Sequence, residues 1–176
     1  MNTVNESTVT PNIASEATEA PATPQVNHRA RAIEMIEKAL APLLELRAFM
    51  QAHPQFTAVE FSDRWEQFSE DHFRMYAGLA TDEVYNVRGG SERLNFPLEK
   101  LPDRFIDPKA PVRQQLQAAI DAIAEHGDGL LAFLRTDPDG FDLLGYGTAL
   151  HRVEKAIDRW GNRYLIGNMI VELMTA

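Results

Sequence analysis

The chain has 176 residues and no cysteine, and its 26 Asp and Glu outnumber its 17 Lys and Arg, which gives a formal net charge of −9 at pH 7. This length predicts one domain, and the lack of thiols excludes disulfides, thiol catalysis and thiolate metal sites. The acidic balance disfavours direct nucleic-acid binding and adsorption to anionic membranes. Because no apolar run reaches the roughly 18–20 residues that cross a bilayer and no secretory signal is visible, we expect a cytoplasmic protein.

Residues 1–26 are rich in Ser, Thr, Pro, Ala, Glu and Asn and carry few large apolar side chains. Such a segment cannot bury enough apolar surface to offset the entropy lost on ordering. We therefore predict a disordered acidic tail over residues 1–26, followed by a single helical domain over residues 27–176.

Apolar side chains recur at helical spacing between Asn27 and His53, which predicts an amphipathic helix. Pro42 lies in the middle of this pattern, where it removes a backbone hydrogen bond and disfavours helix at Ala41. We expect a kink at this point or a division into two short helices. Pro54 then separates this region from the next helix.

The segment from Thr57 to Leu79 has a strongly aromatic helical pattern. Thr57 followed by Glu60 forms a capping-box sequence, which fixes where the helix starts. Read as one continuous helix, the segment places its apolar residues on an arc about 100° wide, so we predict that this face packs in the core. The residues on the arc are Phe61, Trp65, Phe68, His72, Met75, Tyr76 and Leu79.

A short β-hairpin is predicted over residues 83–96. Gly89-Gly90 fits a two-residue hairpin turn, and runs with β-forming side chains flank it on both sides. An isolated hairpin is marginally stable in water, so we expect it to pack against the helices. The side chains of the two predicted strands are Val84, Tyr85, Val87, Leu94 and Phe96.

A proline-rich connector over residues 97–111 precedes the next helix. That helix is predicted to begin at Pro111 and to stop at Gly127, and residues 130–134 form a separate short apolar segment. The sequence Asp-Pro-Asp-Gly at 137–140 is a strong turn signal.

The last helical region is predicted to begin near Thr148 and to break at Gly161-Asn162, where its apolar stripe rotates. The helix after the break is apolar over most of its surface, and Glu172 is its only charged side chain after Arg163. A helix of this kind is either central in its own core or covered by another molecule. We predict an interface with a partner or with copies of the chain. The predicted interface residues are Leu165, Met169, Ile170 and Leu173.

Four polar side chains are candidates for a ligand site: His72, Arg88, Arg93 and His151. His72 lies within the apolar stripe of the aromatic helix, where it acts either as a ligand or proton-transfer group or as a hydrogen-bonded core histidine. Arg88 and Arg93 flank the predicted turn and could hold an anion there, although the sequence matches no phosphate-binding fingerprint.

His151 and Glu154 stand three residues apart, which suggests a metal pair in a helical bundle, but the ferritin-like pattern needs two Glu-x-x-His units and two further Glu. The aspartates at 137, 139 and 142 suggest a calcium loop, but the glycine spacing does not fit an EF-hand. An exposed polar pair and a plain turn explain these residues better. We therefore predict no metal and no cofactor.

The composition and patterns favour a mainly helical bundle of five or six helices that acts as a non-catalytic interaction or assembly protein. The alternative is an enzyme or small-molecule binder with a pocket between the aromatic helix and the C-terminal helices. A third hypothesis is an acidic protein that occupies a nucleic-acid-binding site on its target.

Overall fold

The computed structural model of the protein describes residues 26–88, 106–136 and 142–176, and all regular structure in these ranges is helical. The prediction of a mainly helical fold is therefore confirmed. The predicted disordered tail lies almost entirely outside the described residues. The described residues contain six helices: α1 (His28–Ala52), α2 (Ala58–Trp65), α3 (Glu70–Arg88), α4 (Val112–Thr136), α5 (Leu143–Trp160) and α6 (Arg163–Thr175).

Helix α1 runs without interruption through Pro42, so the predicted division into two short helices is wrong. Proline has no N–H, so the carbonyl of Lys38, four residues earlier, loses its helical partner. The ring of His72 on α3 supplies a replacement, because its Nε2–H donates to the Lys38 carbonyl at 3.0 Å. Fully buried side chains on both sides of the proline, among them Leu40 and Leu43, also hold α1 against the core.

The predicted helix from Thr57 to Leu79 is two helices, because the chain turns between Trp65 and Glu70. The capping box at its start is present as predicted: the Thr57 side chain accepts from the Glu60 N–H, and the Glu60 carboxylate accepts from the Thr57 N–H. Ser69 caps the start of α3, because its hydroxyl accepts a hydrogen bond from the backbone N–H of His72.

The turn changes the phase of α3, so a different face points into the core. Phe73 is 1% exposed, whereas Met75 is 54% exposed, contrary to the continuous-helix prediction. Leu79 is likewise exposed, and its place in the core is taken by Ala77 and Ala80.

The predicted hairpin is wrong in the part that the structure describes. Helix α3 continues to Arg88, so Val84 and Tyr85 are helical rather than extended, and Val84 is buried in the core. The turn glycines and the predicted second strand lie outside the described residues.

Helix α4 continues through Gly127 to Thr136, so the predicted stop at Gly127 is wrong. Gly127 instead allows α4 to pack closely against α1. A β-carbon added at Gly127 would lie 2.9 Å from a side-chain carbon of Leu40 on α1. The segment 130–134 is the last part of this helix and contributes buried leucines to the core.

Helix α5 begins at Leu143, five residues earlier than predicted, because Asp142 caps it by accepting from the Leu144 N–H. The predicted break at Gly161-Asn162 is confirmed, since α5 ends at Trp160 and Asn162 caps the start of α6.

The four long helices α1, α3, α4 and α5 form an antiparallel ring around one core. Contacts join α1 to both α3 and α4, and α5 closes the ring by packing on α4 and, less extensively, on α3. The short helices α2 and α6 touch each other and cover one end of this ring. Within the described ranges, no helix combines the length and the apolarity needed to cross a membrane.

Candidate functional site

A groove of about 620 Å³ lies at the end of the bundle where α2 and α6 meet. It runs between the turn that joins α2 to α3 and the corner that joins α5 to α6, and we call it the corner groove. Aromatic and aliphatic side chains form its walls, with Trp65 and Phe68 on one side and Ile166 and Ile170 on the other.

Local sequence explains why the groove forms here. The turn after α2 carries Trp65 and Phe68, whose ring centroids are 5.6 Å apart in a tilted pair. Opposite them, Gly161 lets the corner after α5 come close, because a β-carbon added there would lie 3.2 Å from the Trp65 ring. The two turns therefore contact each other at Gly161 and Trp65, and the groove lies between them.

Carboxylates predominate at the rim of the groove. Glu66, Glu70 and Asp158 line it, together with the single guanidinium of Arg163. Glu70 is also paired with Arg74 on α3, and Asp158 lies 3.7 Å from the Lys155 ammonium on α5. The charges of the groove are therefore partly balanced, and polar and apolar side chains both line it.

Helix α6 has two apolar faces, and one of them points away from the core. Ile166, Met169 and Leu173 are buried against the bundle. On the other side, Tyr164 is 83%, Val171 61% and Met174 71% exposed. These three residues and Gly167, which lies between them, form what we call the outer face of α6.

The corner groove and the outer face are continuous, because Tyr164 and Gly167 belong to both. Gly167 leaves open space at their junction, since a β-carbon added there would meet no atom within 4 Å. Exposed apolar side chains that adjoin a groove lined in part by aromatic and aliphatic residues mark a surface suited to binding.

The structure separates the four predicted interface residues. Met169 and Leu173 lie in the core, Ile170 is partly buried and lines the corner groove, and Leu165 is 41% exposed. The exposed apolar surface of the helix is centred instead on Tyr164 and its neighbours along the outer face. The low charge of its sequence singled out α6 as a candidate interface helix. Which of its faces is exposed depends on how α6 packs against the bundle, and the sequence does not reveal that packing.

His72 lies away from the corner groove, between α3 and α1. Its Nε2–H donates to the Lys38 carbonyl, and its ring packs edge-on against Tyr76 with centroids 5.0 Å apart. These contacts fit a histidine that satisfies the carbonyl freed by Pro42.

His151 lines a smaller cavity of about 160 Å³ between α3 and α5, next to the corner groove. Its Nδ1 is 3.8 Å from a carboxylate oxygen of Glu154, and its Nε2 is buried without a hydrogen-bond partner among the described residues. Glu70 and Asp158 line both cavities, so the two spaces adjoin.

The side chains of Arg88 and Arg93 lie outside what the structure describes, as do Asp137 and Asp139 of the predicted turn. Among the residues that are described, no group of three or more His, Asp and Glu side chains is arranged to hold a metal ion.

Comparison of this chain with protein-family models, with curated proteins and with solved structures finds no match.

Proposed function

We propose that the protein is a non-catalytic interaction protein that binds a helix of another protein molecule along the outer face of α6 and in the corner groove. The observation that carries this proposal is the pair of apolar faces on α6. One face is needed to attach the helix to the bundle, and the other has no use within the described part of the fold.

The spacing of the outer face suits a helix as its ligand. Tyr164, Gly167, Val171 and Met174 are separated by three, four and three residues, which is the spacing of the seam between two packed helices. Gly167 has no side chain, so a partner helix can come close at that point. The adjoining groove has the volume to accept several apolar side chains from the partner.

A small apolar ligand in the corner groove is the second candidate function. It is favoured by the groove volume of about 620 Å³ and by the aromatic wall that Trp65 and Phe68 provide. Of the polar candidates from the sequence, neither His72 nor His151 lines this groove, and its polar groups stand at the rim. A protein helix uses both the groove and the exposed outer face, whereas a small ligand uses only the groove.

Two substitutions separate these functions. Val171→Asp places a charge on the outer face but outside the groove lining, so it should abolish helix docking and leave a small ligand bound. Gly167→Leu fills the junction and should abolish both. Val59→Asp is the matched control for the first, because Val59 is a valine of similar exposure on α2. Gly78→Leu is the control for the second, because Gly78 also has open space around it.

The binding itself is measured by site-specific photo-crosslinking in the native host, with the photoreactive residue at position 174. We expect discrete protein adducts that disappear in Val171→Asp and Gly167→Leu but remain in the two controls. Adducts that survive all four substitutions, or equal labelling from a photoreactive residue at position 59, would contradict the assignment of this surface. A small-molecule library screened by melting shift, with hits lost only in Gly167→Leu, would support the second function instead.

A further inference from the structure

We infer that the helix received by the outer face is α6 of a second copy of this chain, packed antiparallel to the first. This inference rests on the proposed function and names its partner. It would make the protein a two-fold symmetric dimer in which each copy completes the corner groove of the other.

The sizes of the side chains match in this arrangement. In an antiparallel pair of identical helices, the residue numbers that face each other add to a constant. If Tyr164 faces Met174 of the second copy, then Gly167 faces Val171 of the second copy. A large aromatic ring thus meets a flexible thioether, a favourable contact for sulfur, and the residue without a side chain meets a β-branched one. Symmetry repeats both pairs, so four contacts form from one register.

The same register lets Met174 reach the neighbouring groove. Tyr164 lines the corner groove together with Trp65 and Ile170, so the methionine that faces Tyr164 in this register comes to the same groove. Methionine fills irregular apolar spaces well because its side chain is unbranched and flexible. Each copy would therefore supply one wall residue that the isolated chain lacks.

The charges are compatible with this contact. Each copy carries a formal charge of −9, yet between Tyr164 and Thr175 only Glu172 is charged, and the outer face contains none of that charge. Antiparallel packing also brings Arg163, at the start of α6, toward the C-terminal end of the other α6, where the helix dipole favours a cation. The dimer therefore forms without opposing like charges at its centre.

The symmetry of the contact limits the assembly to two copies. An isologous contact uses the same patch on both copies, so it ends at two and does not continue into a filament. Helix α6 has 13 residues and is about 20 Å long. Stable interfaces usually bury ~1,200–2,000 Å², so a contact of this length needs the groove walls as well as the outer face and belongs at the weaker end of that class.

Engineered cysteines test the register directly, because the chain has none of its own. Tyr164→Cys and Met174→Cys are made separately, one of them with a mass tag, and are oxidised alone and as an equimolar mixture. Both positions are exposed, so the variants should melt like the parent chain. The antiparallel register predicts a disulfide in the mixture at least tenfold faster than in either variant alone. Two copies of position 164 would be about 15 Å apart along the helix, beyond the reach of a disulfide.

Gly78→Cys is the control, since it is an exposed position on α3 outside the outer face. Sedimentation of the unmodified chain should show a concentration-dependent dimer, and Val171→Asp should raise the dissociation constant by at least tenfold. Three outcomes would overturn the inference: Tyr164→Cys cross-linking to itself, cross-linking of Gly78→Cys as fast as the mixture, or a monomer at millimolar concentration. If the chain is monomeric but photo-crosslinks from position 174 identify a different protein, the partner is wrong and the proposed function stands. If position 174 gives no adduct either, both fail.

Discussion

At the scale of single residues, the contact between His72 and the Lys38 carbonyl explains how a proline is accommodated within α1. The carbonyl is freed by Pro42 and accepts from the imidazole Nε2–H on another helix. His72→Ala should therefore destabilise the fold by about 1 kcal/mol, since an acceptor loses its partner. In a Pro42→Ala background the new backbone N–H can bond the same carbonyl, so the cost of His72→Ala should fall by roughly half.

Urea denaturation of the parent chain, the two single variants and the double variant measures the coupling free energy between His72 and Pro42. The edge contact between His72 and Tyr76 is lost in both backgrounds and so cancels from the difference. An equal cost of His72→Ala with and without the proline would mean that the hydrogen bond contributes nothing.

Tyr146 gives a prediction at alkaline pH. Burial raises the pKa of its hydroxyl to about 12, although the hydrogen bond with Thr81 acts in the opposite direction. Because the folded-state pKa lies above the unfolded value of about 10, the contribution of this group is fully present below that pH and is lost as the pH rises toward 12. The free energy of unfolding should fall by roughly 1–2 kcal/mol near pH 11 through this residue alone.

The measurement compares urea midpoints near pH 9 and near pH 11 for the parent chain and Tyr146→Phe. The phenylalanine variant lacks the ionisable group, so it should lose less stability over this interval. Parallel losses in the two proteins would show that other groups control the alkaline transition.

At the scale of the elements, the turn between α2 and α3 decides which side of α3 is buried. A continuous helix would bury Met75, whereas the turn buries Phe73. Phe73→Ala should cost about 3–5 kcal/mol, because a buried aromatic side chain leaves a cavity. Met75→Ala should change stability by no more than about 0.5 kcal/mol. Thermal or urea denaturation of the two variants measures these losses of stability. A larger loss in Met75→Ala than in Phe73→Ala would support one continuous helix from Thr57 to Leu79 instead.

The sequence predicts helix ends well where a local capping signal marks them. The Thr57–Glu60 capping box and the break at Gly161-Asn162 follow from local chemistry, and both are present. The prediction fails where tertiary contacts override local signals. Gly127 is typical of a helix end, but here it admits Leu40 of another helix.

Only part of the candidate site can be predicted from the sequence. Ser69 followed by two acidic residues is a helix-start signal, and it could have located the turn that carries Trp65 and Phe68. The corner groove also needs the approach of α6 to α2, which involves residues about a hundred positions apart. Periodicity in one helix carries no information about that distance, so the exposed side of α6 became visible only in the folded chain.

In the fold as a whole, α2 and α6 concentrate the exposed apolar surface at one end of the bundle. All the helices of the described ranges contribute buried side chains to one core, whereas Tyr164, Val171 and Met174 of the outer face are exposed. Removing the outer-face side chains of α6 should therefore leave that core intact. This separation between stability and binding is what permits the substitutions proposed for the outer face.

The net charge of the chain predicts how salt affects the proposed dimer. Two copies that each carry −9 repel each other, and the repulsion reaches about 30 Å at 0.01 M salt but about 3 Å at 1 M. Because the outer face is uncharged, salt should screen this repulsion and weaken only the contact of Arg163 with the helix dipole of the second copy. Sedimentation equilibrium in sodium chloride should therefore show a dissociation constant that falls several-fold across this range. A basic partner helix would behave in the opposite way, since its attraction to the acidic rim would be screened. A dimer that weakens as salt rises would mean that opposite charges hold it together, and the antiparallel apolar contact would be wrong.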